Sequence, residues 1–429
     1  MKGIEAEFSF FKAGQGSFYG GRICYLETNK VFTIVYDCGT SRFISGNNQS
    51  LNNEIDYLKH YPHYHGHNDE IELLFISHLD YDHVSGLKRL LREFNVKNII
   101  LPYIEKQYRQ FFLASIYGDD SDGGMSLEDY TFFIDNPSLF ILENSEGTKI
   151  YFIKPDNSEK TEYQGYNNND DDNQSDTVYP RGTQIAPSTE EFANMSNVLF
   201  YENNLQFFIK RDWEFTTYVK SVNHTAINNL HNCLKRKLRK RANENLSLDD
   251  LKEIVTNKRK VAHDCYTSCI GEINSHGLVL LHGPIRFDYL EGKIYSNCNL
   301  NYYYHDHYPR IFPYFENRNQ VFLGTLLFGD TSIKLDNNPI NFPQAFKDKL
   351  VNVHIVQIPH HGSSKNWDFD EFQALNIGNN IHPWRNLITV CNFGYGNKFG
   401  HPSHDVLNDL HSTIFLNSQF SRLNIQYKL

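Results

Sequence analysis

The heptapeptide Ser77-His78-Leu79-Asp80-Tyr81-Asp82-His83 constrains this chain more than any other stretch. It sets two imidazoles and two carboxylates directly behind the apolar run Ile71, Leu73, Leu74, Phe75 and Ile76. Such a run reads as a buried strand, and its abrupt change to polar residues reads as a tight loop at the strand's end. Imidazole and carboxylate together suit divalent zinc, manganese or iron. A cap for the helix that follows accounts for Asp82 alone, which leaves His78, Asp80 and His83 to be explained. Four such side chains at the end of a rigid strand form half of a binuclear metal site.

Half a site predicts further ligands on later strand ends. Residues 321–328 read as a strand followed at once by Gly329-Asp330, and residues 351–358 as another that ends in Pro359-His360-His361-Gly362-Ser363. A third, at 387–390, leads through a glycine-rich loop to Gly400-His401-Pro402-Ser403-His404. Each time an apolar run breaks into Gly or Pro beside His or Asp, which is how a sheet presents side chains along one edge.

Taken in this order, the motifs resemble those of the metallo-β-lactamase-fold hydrolases. That family's HxHxDH signature stands here as His78-x-Asp80-x-Asp82-His83. The branch that the chain resembles is the hydrolase domain of ComEC-type DNA-uptake competence proteins. Its pattern runs HxDxDH, Asn before a strand, Gly-Asp, Pro-His-His-Gly-Ser and Tyr-Gly-His-Pro-His. The counterparts are Asn274 ahead of residues 277–281, Gly329-Asp330, Pro359 to Ser363, and Phe399-Gly400-His401-Pro402. Upstream, Ile34-Val35-Tyr36-Asp37-Cys38-Gly39 resembles the opening strand and turn, whose Asp supports the metal loop. The resemblance covers residues 1–103 and 270–429.

It implies a four-layer αββα sandwich, with two mixed sheets face to face and a pair of Zn2+ or Mn2+ ions at the sheet edge. One ion is expected on His78 and Asp80. The other is expected on Asp82, His83 and one of His360 and His361, with Asp330 bridging. A metal-bound hydroxide would serve as nucleophile. Asp82, His361 and His401 are the catalytic candidates, and His401 would protonate the leaving group or hold a phosphate. Two departures matter. Asp80 replaces the family's second His, a hard oxygen donor that tilts preference toward manganese without excluding zinc. The third-motif His is missing, with Asn274 near its place as a substrate contact and His276 two residues on.

At 429 residues, with 32 Phe and 27 Tyr, the chain can bury one elaborate core or two. No apolar stretch is long enough for a membrane helix, and the N-terminus lacks a signal-peptide pattern. Seven cysteines without CxxC spacing suit the reduced thiols of a cytoplasmic protein.

A net charge of −10 argues against a general nucleic-acid binder. Yet residues 231–262 hold ten Lys or Arg against four Asp or Glu, and Leu230, Leu234 and Leu238 recur every fourth position. This is an amphipathic helix with a basic face. Lys235, Arg236 and Arg239 there suit phosphate-backbone contacts, and a solvated surface helix fits equally. Lys365 is a further candidate for a phosphate oxygen. Residues 104–269 are expected to be an insertion over the active-site edge, with a flexible Asn/Asp-rich run at 167–176.

The expected function is metal-dependent phosphodiester cleavage, as a nuclease on DNA or RNA. A hydrolase of small phosphoesters or cyclic nucleotides is the alternative that the acidic charge favours. A degenerate binding module is the third, and the intact Asp82, His83, Asp330 and His360-His361 set argues against it.

Overall fold

Alternation of aromatic and β-branched residues with glycine-marked turns makes the N-terminal segment a meander. Ile4–Phe10, Phe18–Tyr25 and Lys30–Cys38 pair antiparallel in succession. The computed structural model describes residues 3–41, 47–60, 69–115, 124–155, 163, 178–187, 192, 195–220, 224–240, 246–258, 260–262, 264–266, 268, 277–285, 290–298, 315–317, 324–334, 340–378, 387–410 and 414–429.

The meander lies inside an 11-stranded mixed sheet. From edge to edge its strands are Gln184–Ile185, Val198–Tyr201, Lys149–Ile153, Asn98–Pro102, Leu73–Phe75, Lys30–Cys38, Phe18–Tyr25, Ile4–Phe10, Ser421–Lys428, Leu290–Cys298 and Phe315–Asn317. A second, 8-stranded mixed sheet runs Ile414–Asn417, Ile388–Asn392, Val353–Gln357, Gly324–Leu327, Gly277–Pro284, Trp213–Lys220, Gln206–Ile209 and Val178–Arg181.

Strand periodicity sorts the apolar residues into layers. Leu73 and Phe75 meet Phe207, Phe215, Leu278 and Leu280 between the sheets, while Leu74 and Ile76 turn the other way, toward helices. Val279 and Leu281 likewise turn outward, onto Phe346, Phe372 and Leu410. Strands covered on both faces read as unbroken apolar runs, and the result is the expected αββα sandwich. His282 sits in the inter-sheet core, where Trp213 Nε1 donates to its Nδ1 at 3.2 Å and its Nε2 meets the Tyr19 hydroxyl at 2.9 Å. Burial pushes this imidazole down to about 3, so it is a neutral packing element.

The sheets do not divide at the boundaries expected at 103 and 270. Lys149–Ile153 pairs parallel with Asn98–Pro102, and Trp213–Lys220 pairs antiparallel with Gly277–Pro284 along its whole length. Strands that complete both sheets therefore come from within the supposed insertion, because their apolar faces need the sheets as partners. Nor are all thiols reduced. Cys233, on the helix His224–Leu238, is disulfide-bonded to Cys265, 32 residues on, whereas Cys24, Cys38 and Cys391 are free and buried.

The helix His224–Leu238 carries the expected pattern, with Ala226, Leu230 and Leu234 fully buried against the first sheet's helical layer. It stops one residue short of Arg239, whose φ of 57° takes it out of helical geometry. No helix among the described residues is long and apolar enough to cross a membrane.

Candidate metal centre

Four strand ends converge at one edge of the sandwich. The 77–83 loop follows Leu73–Phe75, Asp330 follows Gly324–Leu327, the 359–362 turn follows Val353–Gln357, and His401 lies beyond Ile388–Asn392. Asp330 is the hub. Its Oδ2 lies 3.7 Å from His78 Nε2 and 3.6 Å from His360 Nε2, while its Oδ1 lies 3.1 Å from His83 Nε2 and 3.8 Å from His361 Nε2. Asp80 Oδ2 joins the first side at 3.7 Å from His78 Nε2, and Asp82 Oδ2 the second at 3.3 Å from His361 Nε2. Two triads, His78-His83-Asp330 and Asp82-His83-His361, each place their donor atoms within 4.8 Å of one another. The motif order assigns one of the paired histidines to the second ion; the geometry places one on each side of Asp330.

Every imidazole is oriented through its other nitrogen. His83 Nδ1 meets Asp37 Oδ2 at 2.8 Å, His78 Nδ1 meets Ser77 Oγ at 2.9 Å, His360 Nδ1 meets Asn366 Oδ1 at 2.6 Å, and His361 Nδ1 meets the Asn392 carbonyl at 3.0 Å. Acceptors on Nδ1 fix the tautomer that leaves Nε2 as a donor atom for a cation. Asp37 ties the loop down, accepting the Ser77 amide and hydroxyl at 2.7 Å each.

The backbone bears the cost of this convergence. His360 and His361 stand at φ 46° and 53°, left-handed conformations unfavourable for side-chain-bearing residues. Gly329, at φ 56°, brings the chain so close to Ser77 that an added Cβ would lie 2.7 Å from the Ser77 Cβ.

Charge follows burial. Burial alone would raise the Asp330 carboxyl, but His360, His83 and His361 hold it well below its ordinary range. Burial would lower His83, yet Asp330 and Asp37 raise it well above. His361 is raised against burial by Asp330 and Asp82, whereas burial prevails at His360 and lowers it. Asp80 Oδ1 is buried with no hydrogen-bond partner among the described residues. A buried cluster of carboxylates and Nε2-directed imidazoles needs positive charge at its middle, and the N/O donor set fits divalent zinc or manganese. The Asp82 side chain, 24% exposed, is the most open member and marks the solvent mouth.

Residues 24–159 match a family profile described as the metallo-beta-lactamase superfamily. The match runs past residue 103 and includes the strand Lys149–Ile153, in keeping with the sheet order. No curated protein matches the chain. The four-layer fold is consistent with that superfamily's sandwich, and the family match with the two ligand triads points to a metal-dependent hydrolase.

The remaining candidates separate. His401 borders the centre, its ring centroid 5.5 Å from that of His360 and 6.4 Å from that of His361. Burial, then His360 and His361, push it down to about 3, so it is neutral at neutral pH and lacks the extra proton of a general acid. The Gln15 amide donates to its Nδ1 at 3.4 Å, which leaves Nε2–H as a hydrogen-bond donor. Lys365 is exposed, its backbone amide bonded to Ser363 Oγ. Asn274 and His276 lie outside the described residues, as does the run 167–176. Arg236 and Arg239 are exposed, and Lys235 is buried.

Motif reading missed Tyr266. Its hydroxyl donates to Asp80 Oδ2 at 2.5 Å, from a position 186 residues further along the chain. Burial and the Asp80 charge raise the phenol well above its ordinary value, so it remains a donor. A lone tyrosine in a polar span carries no spacing signal. Asn366, five residues past His361, was within local reach of the His-His motif.

Proposed function

We propose that this protein is a metal-dependent phosphodiesterase that acts on DNA or RNA. Asp330 would bridge two divalent ions, with His78, Asp80 and His360 on one side and Asp82, His83 and His361 on the other. Such ions supply Lewis acidity to a phosphoryl oxygen and generate a nucleophile near neutral pH. The protein's own groups do the rest. Asp37, Ser77, Asn366 and the Asn392 carbonyl keep four Nε2 atoms aimed inward. Burial of the centre excludes bulk water, and His401 Nε2–H offers a hydrogen bond to a phosphoryl oxygen at the mouth.

The observation that carries the polynucleotide reading is the linkage of the basic helix to this centre. Cys233 on that helix is bonded to Cys265, and the next residue, Tyr266, touches Asp80. Beside the disulfide lies a cavity of about 620 Å³ lined by Asn229, Asn232, Lys235, Arg236, Lys240 and Ser268. Amides, a hydroxyl and cations are the donors that phosphates require. The ComEC-type order of motifs supports the same reading. The net charge of −10 favours a small phosphoester instead, and substrate size separates the two.

The test incubates the purified protein with plasmid, single-stranded DNA, RNA and bis-p-nitrophenyl phosphate, with Mn2+ or Zn2+ added. Cleavage of a polynucleotide and of the chromogenic diester is expected. Asp330→Asn should lose both activities by more than about 100-fold, together with its retained metal. Turnover of the small diester alone would establish the alternative. A protein that holds metal but cleaves neither is no phosphodiesterase.

A further inference from the structure

Among the carboxylates of the centre, Asp80 is the one that replaces an imidazole in the sequence pattern and the one held by a phenol. Tyr266 is 2% exposed, and its hydroxyl lies 2.5 Å from Asp80 Oδ2. A donor that short on one oxygen stops the carboxylate from rotating. The other oxygen, Oδ1, is then kept in the buried interior, without a hydrogen-bond partner among the described residues. Tyr266 is itself held through the residue that precedes it. Cys265, the residue before it, is bonded to Cys233 on a helix whose Leu230 and Leu234 are fully buried. The phenol thus reaches Asp80 from a segment anchored to the packed helical layer.

We infer that Tyr266 is a positioning residue, which fixes Asp80 as a ligand for the cation on the His78 side, and that the Cys233–Cys265 bond holds Tyr266 in register. This rests on the reading of the centre as a pair of cation sites. It predicts asymmetry between the two sites. Asp80 lies on the His78 side, so loss of the phenol should weaken that ion and spare the one held by Asp82, His83 and His361.

The test measures Zn2+ and Mn2+ binding stoichiometry and affinity by calorimetry on the full chain. Wild type is compared with Tyr266→Phe, Asp80→Ala and the double variant. Tyr266→Phe removes one oxygen and keeps the ring that fills the site. It should weaken one of two ions by about 10- to 100-fold and leave the other unchanged. The metal-free variant should lose some melting temperature with the buried hydrogen bond and keep the circular dichroism spectrum of wild type. In the Asp80→Ala background the same change should have no further effect on affinity. Cys233→Ser with Cys265→Ser should weaken the same ion in wild type and not in Tyr266→Phe. Unchanged affinity for both ions in Tyr266→Phe would overturn the assignment, and so would an equal loss at both. Wild type that binds no divalent ion would instead overturn the reading of the centre itself, so the two failures are distinguishable.

Discussion

His401 shows how environment decides the role of a residue. A histidine behind Gly400 at a sheet edge looks like a proton donor, and its burial beside two other imidazoles denies it that charge at neutral pH. On the proposed reading its contribution would be a hydrogen bond from Nε2, so His401→Gln should lower kcat by about 10- to 100-fold while bound metal is unchanged. Because the imidazole titrates near 3, wild type and variant should share the form of their pH–rate profiles between pH 5 and 9. A limb that disappears in the variant would return His401 to acid catalysis. At this scale much of the centre was legible in the sequence. His78, Asp80, Asp82, His83, Asp330 and the His360-His361 pair all meet, because each follows an apolar run whose strand direction is fixed by packing. Which side of Asp330 each histidine takes was not legible, since it depends on left-handed backbone at two successive residues. Tyr266 was not legible either, because its partner is 186 residues away.

Single elements hold the centre open or draw it together. The turn after Gly324–Leu327 depends on Gly329, where any side chain meets both an unfavourable φ and the Ser77 Cβ. Gly329→Ala should cost about 1–3 kcal/mol of stability, read from urea unfolding, and should weaken metal binding through the displaced Asp330. Loss of stability with unchanged metal affinity would mean that Asp330 is placed independently of the turn. The basic helix answers a different question. Its apolar face was readable from leucines four apart, and its end at Leu238 was not, because a left-handed residue such as Arg239 usually signals itself as glycine. Charge reversal at the exposed Arg236 and Lys237 should raise KM for a polynucleotide and flatten its salt dependence. Turnover of bis-p-nitrophenyl phosphate should be unaffected. Equal damage to both substrates would make the helix structural.

Across the whole molecule, the apolar runs announced strands buried on both faces, and the four layers follow from them. The extent of the sheets was hidden, because strands such as Gln206–Ile209 and Lys149–Ile153 lie among polar segments that resemble an insertion. The same architecture links folding to cation binding. In the metal-free protein, His83 and His361 have pKa values raised above 6.5 by the carboxylates around them, so their charge stabilises the fold below about pH 6.5 and that contribution is lost as pH rises through the raised values. His360, His401, His282 and His354 are depressed. They destabilise the fold only as pH falls below about 6.5, since above it they are neutral in both states. From pH 6.5 to 8 the raised pair therefore sets the slope. The metal-free unfolding free energy should fall over that range, by at most about 1.4 kcal/mol per pH unit for each imidazole still protonated, and the melting temperature with it. Bound cations displace those protons, so the loaded protein should be nearly flat and the stabilisation by Mn2+ or Zn2+ should widen with pH. Thermal melts with and without metal at pH 6.5, 7.25 and 8 decide it. Parallel curves would mean that His83 and His361 carry no proton that a cation must displace, and that the charge at the middle of the centre is balanced in some other way.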